Sequence, residues 1–290
     1  MHVTAKKNTH VPSAAREFLF TDSDFFRIRG VIHQRAGIAL GEHKREMVYS
    51  RLSRRLRELG FTRFSDYLAL LESDADSAEW QSFTNALTTN LTAFFREPHH
   101  FPLLARHVCN CLSPVAVWCS AASTGEEPYS IAITLLEALG NRTSSATVLA
   151  TDINTQVLAK AAAGVFKMEQ VSKLPADRLK RFFLRGSGAQ AGNVRIRPEV
   201  AAMVDFAQVN LLDPQWTVSG PFDAIFCRNV MIYFDKPTQH RILQRFAQLL
   251  KPDGLLFAGH SENFSYVSSL FRLRGQTVYE LASAQTRSST

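Results

Sequence analysis

The feature that most constrains this chain is a change of periodicity near residue 113. Between about Asp22 and Asn90, apolar residues recur three or four positions apart, which is the spacing of helices that bury one face. The clearest examples are Val48, Leu52, Leu56 and Leu59, followed by Tyr67, Leu68 and Leu71. From about Ser113 onward, short apolar runs alternate with helical segments, as in a parallel sheet covered on both faces. The pattern predicts an all-α N-terminal domain followed by an α/β domain.

The α/β half divides into separate strands and helices. The predicted strands are Val115–Cys119, Thr147–Thr151, Phe222–Cys227 and Gly254–Gly259. The predicted helices are Glu127–Leu139, Thr155–Ala163 and Pro237–Leu250. The sequence Lys251-Pro252-Asp253-Gly254 predicts a turn that ends the last of these helices. Near the C-terminus, Phe271–Arg274 and Thr277–Glu280 predict a closing antiparallel hairpin.

One stretch, at about residues 180–210, breaks this alternation. Strand-like pieces at Phe182–Arg185, Val194–Arg197 and Val204–Phe206 surround a glycine-rich turn. We interpret the stretch as a small antiparallel insert, the alternative being a flexible loop. The predicted organisation is a polar segment over 1–20, a helical domain over 21–88, a linker over 89–112, the α/β domain over 113–282, and a frayed tail over 283–290.

Composition argues against several classes of protein. The longest apolar runs, such as Val115–Cys119, are far shorter than the ~20 residues of a membrane-spanning helix. The polar start of the chain lacks the apolar part of a secretory signal, so a cytoplasmic location is expected. The spacing of the histidines suggests no metal site. Four irregularly spaced cysteines predict buried free thiols rather than disulfides or zinc ligands; they are Cys109, Cys111, Cys119 and Cys227.

Positive charge is concentrated in one segment of the helical half. The chain has a formal net charge of +7, and residues 44–57 contain six basic residues against one acidic residue. On a helix, four of them fall within roughly a 100° arc beside the apolar stripe; we call Lys44, Arg51, Arg54 and Arg55 the basic ridge. The basic ridge is either a solvated helix flank, as charge runs usually are, or a contact surface for an acidic partner.

The first strand–helix turn of the α/β half is the place to search for a ligand site, because open α/β sheets bind ligands beyond the carboxyl ends of their strands. Residues 119–125 are small there and allow a ligand to approach the backbone closely. They lack the Gly-x-Gly-x-x-Gly spacing of dinucleotide sites, and Glu126 and Glu127 follow at the helix start. Carboxylates at this place suit a cationic ligand such as S-adenosylmethionine, unless they only stabilise the helix dipole.

Three later positions extend this candidate site. Asp152 ends the second predicted strand, where a carboxylate accepts hydrogen bonds from both ribose hydroxyls of an adenosine or caps the next helix. Asn210-Leu211 follow a strand-like run and are placed to flank an adenine ring. Asn229 and Tyr233 follow the predicted strand Phe222–Cys227 and are expected at the same edge of the sheet.

Four sequence motifs give the chain a specific family resemblance. They are residues 88–97 (TTNLTAFFRE), residues 123–130 (STGEEPYS), residues 222–234 (FDAIFCRNVMIYF) and residues 250–262, which begin with LKPDG and end with HSE. In this order they resemble the chemotaxis-receptor glutamate methyltransferases (CheR). The resemblance runs from about residue 22 to residue 281, which is most of the chain.

The resemblance implies a Rossmann-like S-adenosylmethionine-dependent methyltransferase domain with a small antiparallel β-subdomain insert, preceded by an all-α domain. It also implies that the linker over 89–112 contributes to the cofactor site. It implies a protein-glutamate O-methyltransferase that converts S-adenosylmethionine to S-adenosylhomocysteine. The implied cofactor contacts are Asn90, Thr92, Arg96, Glu127, Asp152, Asn210, Leu211, Arg228 and Asn229. By the same resemblance, Arg96 and Tyr233 lie nearest the chemistry.

The implied partners are methyl-accepting chemotaxis receptors. Their glutamate-rich methylation helices would contact the basic ridge, formed by Lys44, Arg51, Arg54 and Arg55. The β-subdomain would dock a short peptide at the receptor C-terminus, as it does in some members of the family. Neither nucleic-acid binding nor membrane insertion is expected, and the chain is expected to be a monomer.

Other functions compete with this interpretation. A nucleic-acid methyltransferase fits the positive charge, but residues 229–232 read NVMI instead of an Asn/Asp-Pro-Pro-aromatic loop, and no Pro-Cys pair is present for attack on cytosine. A non-enzymatic adaptor is disfavoured because Asn90, Arg96, Asp152 and Asn229 are all present. A dehydrogenase would need the missing glycine fingerprint.

Overall fold

The computed structural model describes residues 16–109, 111 and 114–282 of the 290-residue chain. Most of the predicted polar segment 1–20, and the whole predicted tail 283–290, lie outside the described residues. In the part of the chain that the structure describes, no helix combines the length and the apolar character needed to cross a membrane.

The first four helices form the predicted all-α part. They are α1 (Asp22–Ala36), α2 (Arg45–Leu59), α3 (Phe64–Ser73) and α4 (Glu79–Leu87). Their apolar stripes meet in one core, as expected for amphipathic helices that bury one face. Of the apolar residues that predicted α2, Val48, Leu52 and Leu56 are fully buried, whereas Leu59 remains 41% exposed.

The ends of α1 show why the helix stops where it does. Thr21 and Asp24 form a capping box at its start, which satisfies two backbone donors. Gly37 follows its last residue with a left-handed φ of 69°, a conformation that glycine adopts without steric cost. The chain therefore leaves α1 abruptly, and residues 38–44 turn back over the α/β half.

The remaining elements alternate between helices and strands. They are α5 (His100–Cys109), β1 (Val115–Cys119), α6 (Glu126–Leu139), β2 (Ala146–Asp152), α7 (Thr155–Ala163), β3 (Val165–Lys167), α8 (Met168–Val171), α9 (Ala176–Phe182), β4 (Phe183–Arg185), β5 (Asn193–Ile196), α10 (Pro198–Ala201), β6 (Val204–Gln208), β7 (Phe222–Cys227), α11 (Lys236–Leu249), β8 (Leu250–Ala258), β9 (Phe271–Gly275) and β10 (Val278–Leu281). The predicted strand Phe222–Cys227 and the predicted helix Thr155–Ala163 are confirmed to the residue.

Seven strands form the main sheet, in the order β6-β2-β1-β7-β8-β10-β9. The first five are parallel, and β10 pairs antiparallel with both β8 and β9, which confirms the predicted closing hairpin. Neighbouring residues of β1 face opposite sides, so Val117 lies in a core with α5 and α6 and Trp118 in a core with α11. The chain continues from β1 to β2 on one side and later to β7 on the other, so the strand order reverses at β1. In such sheets the ligand binds in the crevice beyond the carboxyl end of the strand at this point.

The predicted insert is a three-stranded antiparallel sheet in the order β3-β5-β4, here called the β-subdomain. The assignment of Val204–Phe206 to it is wrong: these residues belong to β6, which pairs in parallel with β2 in the main sheet. The third strand of the β-subdomain is instead β3, which pairs with β5. With only three residues, β3 is too short for its alternation to stand out. The glycine-rich stretch joins β4 and β5, as expected.

Two further predictions need correction. Residues 251–254 do not form a turn after α11; they lie within β8, as a bulge opposite Asp223. Asp223 stabilises the bulge, because its carboxylate accepts hydrogen bonds from the backbone N–H of Ala116 and from Lys251 Nζ, both at 2.8 Å. The second half of the predicted linker is helix α5, which packs in the same core as β1. Among the cysteines, Cys119 and Cys227 are buried as predicted, but Cys109 is exposed and Cys111 half-buried.

Candidate active site

A cavity of about 410 Å³ opens beyond the carboxyl ends of β1, β2 and β7. This volume lies within the roughly 300–1,000 Å³ of sites for cofactor-sized ligands. The structure brings together all the residues that the family resemblance implies for the cofactor and the chemistry. The cavity lining includes Asn90, Thr92, Arg96, Glu127, Asp152, Asn210, Leu211, Arg228, Asn229 and Tyr233.

One wall of the cavity, here called the strand-tip wall, is formed at or just beyond the carboxyl ends of β1, β2 and β7. Its residues are Glu127, Asp152, Arg228, Asn229 and Tyr233. The structure gives the adjacent residues Glu126 and Glu127 different surroundings. Glu127 lines the cavity, whereas Glu126 is buried away from it and accepts hydrogen bonds from Thr124 Oγ1 at 2.6 Å and Gln170 Nε2 at 2.8 Å. Only Glu127 is therefore available to a ligand in the cavity.

Asp152 takes the second position of the strand-tip wall. Its two carboxylate oxygens each accept one backbone N–H, from Ser123 at 2.8 Å and from Asn154 at 2.9 Å. The alternative role as helix cap is excluded, because the side chain of Asn154 caps α7 instead. Burial raises the pKa of Asp152, and hydrogen bonds from neighbouring backbone N–H groups oppose that shift. Each oxygen keeps a lone pair for a donor in the cavity.

Arg228 supplies the positive charge of the strand-tip wall, and its side chain is only 1% exposed. Its Nη1 donates to Glu127 Oε2 at 2.6 Å, and its Nη2 donates to the backbone carbonyl of Arg96 at 2.6 Å. Burial raises the pKa of Glu127, against the attraction of Arg228. Since a buried charge needs a partner, the Arg228–Glu127 pair fixes the position of both side chains at the cavity.

The loop after β7 carries Asn229 and Tyr233. Asn229 has a left-handed φ of 59°, which asparagine tolerates better than most residues. Tyr233 ends a short 3₁₀ turn, Met231–Tyr233, and faces the same cavity. The sharp turn at Asn229 thus directs two side chains of one short segment into the site.

The opposite wall, here called the loop wall, comes from residues 36–47 of the helical part, most of which line the cavity. The backbone N–H of Ala39 donates to the carbonyl of Tyr233 at 3.2 Å, and Asn210 Nδ2 donates to the carbonyl of Arg35 at 2.8 Å. Gly37 packs so closely that a Cβ atom there would lie 2.6 Å from the Phe234 ring. The two walls therefore meet in direct contact.

Comparison with known proteins identifies the family. The family described as "CheR methyltransferase, SAM binding domain" matches residues 90–280, and the one described as "CheR methyltransferase, all-alpha domain" matches residues 23–88. This chain belongs to the CheR methyltransferase family.

Curated relatives of this CheR chain agree over nearly its full length. A chemotaxis protein methyltransferase of Klebsiella aerogenes is 63% identical over 92% of this chain and 92% of its own length. One of Escherichia coli K12 is 60% identical, over 90% and 92% respectively, and one of Pseudomonas aeruginosa is 54% identical, over 92% and 96%. The predicted family, fold class, cofactor and activity, S-adenosylmethionine-dependent methylation in chemotaxis, are confirmed.

The basic ridge of this CheR chain is less uniform than the sequence suggested. Lys44 precedes α2, in a 3₁₀ turn, and lines the cavity. The other three lie outside the cavity lining and contact neighbouring groups: Arg51 donates to the carbonyls of Ala86 and Thr88, Arg55 pairs with Glu79 and Glu58, and Arg54 with Glu58 alone. The role of these residues in substrate binding stays a prediction.

Sequence reasoning missed the contribution of the loop wall to the CheR cavity. Ile38, Leu40, His43 and Met47 all line it, yet nothing in their spacing separates them from ordinary core residues. One available signal was Gly37, which directly follows a helical pattern and predicts a sharp change of direction.

Proposed function

We propose that this CheR methyltransferase transfers the methyl group of S-adenosylmethionine to glutamate side chains of chemotaxis receptors in the cytoplasm, forming γ-methyl esters. The observation that carries the proposal is the convergence of two kinds of group in one cavity. Glu127 and Asp152 are buried carboxylates suited to the cofactor, and Arg96 and Tyr233 line the same cavity and are suited to a carboxylate substrate.

The residues present fit the cofactor. Asp152 has a free lone pair on each oxygen, which suits the two hydroxyls of a ribose. Glu127 is a buried carboxylate that suits the α-ammonium group of the amino-acid part, and the apolar side chain of Leu211 suits an adenine ring. When bound, S-adenosylmethionine supplies an electrophilic methyl group on a sulfonium and leaves as S-adenosylhomocysteine.

The work left to the protein is positioning. A glutamate side chain is already ionised at pH 7, so its attack needs no general base. Arg96 and Tyr233 orient the incoming carboxylate, and the loop wall excludes water from the cavity. An arginine also stabilises the carboxylate that must react, which favours a role in orientation over tight pairing.

The receptor contacts follow from charge and from the β-subdomain. The glutamate-rich receptor helix lies across the basic ridge, where Lys44 at the cavity and Arg54, 74% exposed, present positive charge to it. The exposed edge of β4 in the β-subdomain takes an extended peptide from the receptor C-terminus as an added strand. Nucleic acid is not a partner in this proposal, and one copy of the chain suffices.

The test is incubation of the purified chain with methyl-labelled S-adenosylmethionine and membranes that contain chemoreceptors. The expected result is receptor-bound label that base releases as methanol, which is diagnostic of a carboxyl ester. Arg96→Lys and Tyr233→Phe should lower turnover more than cofactor affinity. Label on RNA or DNA would favour the nucleic-acid methyltransferase instead, and cofactor binding without transfer would favour the adaptor.

A further inference from the structure

The turn that follows β8 contacts the back of the strand-tip wall at two places. It consists of Gly259, His260, Ser261 and Glu262, and it includes the HSE motif that the predicted site leaves without a role. None of its residues lines the cavity, and neither does Glu97, which the turn contacts. Any effect of this turn on the reaction must therefore pass through residues that do line the cavity.

The first contact is made by Glu262, which is 4% exposed. Its carboxylate accepts the backbone N–H groups of Asn229 at 3.0 Å, Val230 at 2.9 Å and Met231 at 2.8 Å, as well as that of Gly259 at 2.6 Å. A carboxylate that accepts four backbone donors fixes the backbone that carries them. A Cβ atom on Gly259 would lie 2.5 Å from Asn229 Nδ2, so this close approach requires glycine. Glu262 thus holds the loop that carries Asn229 and Tyr233.

The second contact is made by His260 on Glu97. The backbone N–H and the Nδ1 of His260 lie 3.2 Å and 3.1 Å from Glu97 Oε1. Ser261 Oγ lies 3.1 Å from His260 Nε2; a hydroxyl donated there leaves the proton on Nδ1, facing Glu97. The other oxygen of Glu97 lies 3.4 Å from Arg228 Nη2.

The segment from Phe95 to Glu97 has a strained backbone, which contacts with other parts of the chain must stabilise. Phe95 and Glu97 have left-handed φ values of 51° and 53°, a backbone conformation that is sterically strained for both side chains. Arg96 lies between them, and its carbonyl accepts the 2.6 Å hydrogen bond from Arg228. Burial opposes the charge of Glu97, but Arg228 and the hydrogen bonds from His260 outweigh it and lower the pKa of Glu97. An ionised Glu97 therefore contacts both His260 and Arg228, and Arg228 in turn donates to the Arg96 carbonyl.

We propose that His260, Glu97 and Glu262 are positioning residues for methyl transfer, with the His260–Glu97 contact setting the direction of Arg96 and Glu262 setting that of Asn229 and Tyr233. The proposal rests on the proposed function, in which Arg96 acts on the substrate carboxylate. One turn after β8 then fixes the placement of the segment that carries Arg96 relative to the loop that carries Asn229 and Tyr233.

The His260 contact is the one to test, because the side chain of His260 is 68% exposed and its removal leaves the core intact. His260→Ala removes the Nδ1 donor, and His260→Asn retains an N–H donor at a similar position. The matched control is His240→Ala, because His240 lies on α11 and takes part neither in the contacts of Glu262 nor in those of His260. We expect His260→Ala to lower kcat roughly tenfold, since hydrogen bonds to charged groups are the strong ones, with the KM for S-adenosylmethionine unchanged within about twofold. His260→Asn should restore most of the loss.

A double-mutant cycle shows whether His260 acts through Arg96. In an Arg96→Ala background, the effect of His260→Ala on kcat should disappear, because the group it positions is gone. Equal losses in both backgrounds, or a wild-type kcat for His260→Ala, would overturn the proposal. If Arg96→Ala itself retains full turnover, the proposed function of Arg96 fails, which is a separate outcome.

A second measurement does not depend on transfer. Hydrogen exchange of the amides in residues 93–98, read by mass spectrometry, should accelerate several-fold in His260→Ala and recover in His260→Asn, because the strained segment loses one of its contacts. Unchanged exchange in His260→Ala would overturn the proposal even if no receptor were methylated.

Discussion

The two walls of the cavity are built on different principles. The strand-tip wall presents buried charge at fixed positions, with Glu127, Asp152 and Arg228 each in short hydrogen bonds. The loop wall presents mainly small and apolar side chains and is joined to the first by a few backbone contacts and by the packing of Gly37 on Phe234. We infer that the strand-tip wall recognises the cofactor, whereas the loop wall closes over it.

The largest expected effect tests whether the strand-tip wall depends on buried charge. Arg228→Met leaves Glu127 and Glu97 without their positive partner and should lower the free energy of unfolding by about 3–5 kcal/mol. The matched control is Arg54→Met, which removes a 74% exposed partner of Glu58 and should cost less than about 0.5 kcal/mol. Urea unfolding measures both. Similar losses in the two variants would mean that the wall is hydrated and its charges weakly coupled.

The next prediction concerns the stability of the fold in acid, which depends on the buried residue His100 behind the strand-tip wall. Burial, aided by Arg228 and His99, lowers the pKa of His100 to about 4, while Gln276 and Glu97 oppose the shift. Folding therefore favours neutral His100: this stability is complete above the unfolded pKa of about 6.5 and is lost as pH falls towards 4.

The loss assigned to His100 is about 3 kcal/mol between these limits, from a shift of roughly 2.5 units at 1.36 kcal/mol each. His100→Gln, which cannot titrate, should show a smaller decrease in unfolding free energy between pH 7 and pH 4.5 than the wild type. His240→Gln is the control and should follow the wild type. The same decrease for His100→Gln and wild type would refute the assignment to His100.

Cofactor recognition by the strand-tip wall gives the third prediction. Asp152→Asn should weaken the binding of S-adenosylhomocysteine roughly 10- to 100-fold, because hydrogen bonds to a charged acceptor contribute about 1.5–3 kcal/mol. Asp205→Asn, an exposed aspartate on β6, should leave affinity unchanged. Isothermal titration calorimetry measures both. Unchanged affinity in Asp152→Asn would remove Asp152 from the cofactor contacts.

The smallest expected effect isolates the loop wall. Gly37→Ala and Gly60→Ala both place a side chain at a left-handed φ, 69° and 75° respectively, and this backbone strain alone should cost about 1 kcal/mol in each variant. Only at Gly37 does the new Cβ meet Phe234; at Gly60 nothing lies within 4 Å. Gly37→Ala should therefore also weaken cofactor affinity several-fold, as measured by calorimetry. Equal affinity in the two variants would show that closure of the loop wall does not matter for binding.

Much of the fold follows from local pattern. The strand Phe222–Cys227 is apolar except for Asp223 and fully buried, so its hydropathy locates it. The bulge at residues 251–254 does not follow from local pattern, because the sequence Lys251-Pro252-Asp253-Gly254 predicts a turn. The carboxylate of Asp223, which is distant in sequence, stabilises this segment within the sheet. Strand β6 was misplaced for a related reason: alternation predicts a strand but not its partner.

The residues of the candidate site also differ in whether local sequence pattern identifies them. Asp152 and Glu127 were identifiable because an acid at the tip of an apolar strand, or at a helix start after small residues, has few ordinary uses. Glu97 and Glu262 were not, since their roles depend on His260 and on backbone donors elsewhere in the chain. Nothing in sequence spacing indicates that Arg51 donates to the carbonyls of Ala86 and Thr88, so the basic ridge looked more uniform than it is.

The contact between Gly37 and Phe234 also bears on how such chains diversify by recombination. A chimera that joins the helical part of one relative to the α/β part of another inherits residue 37 from one parent and residue 234 from the other. Because a Cβ at residue 37 would lie 2.6 Å from the ring of Phe234, a parent with a side chain at residue 37 would fit the α/β part of this chain only after that ring shifts. The halves match separate family domains, but an exchange between chains has to preserve this contact.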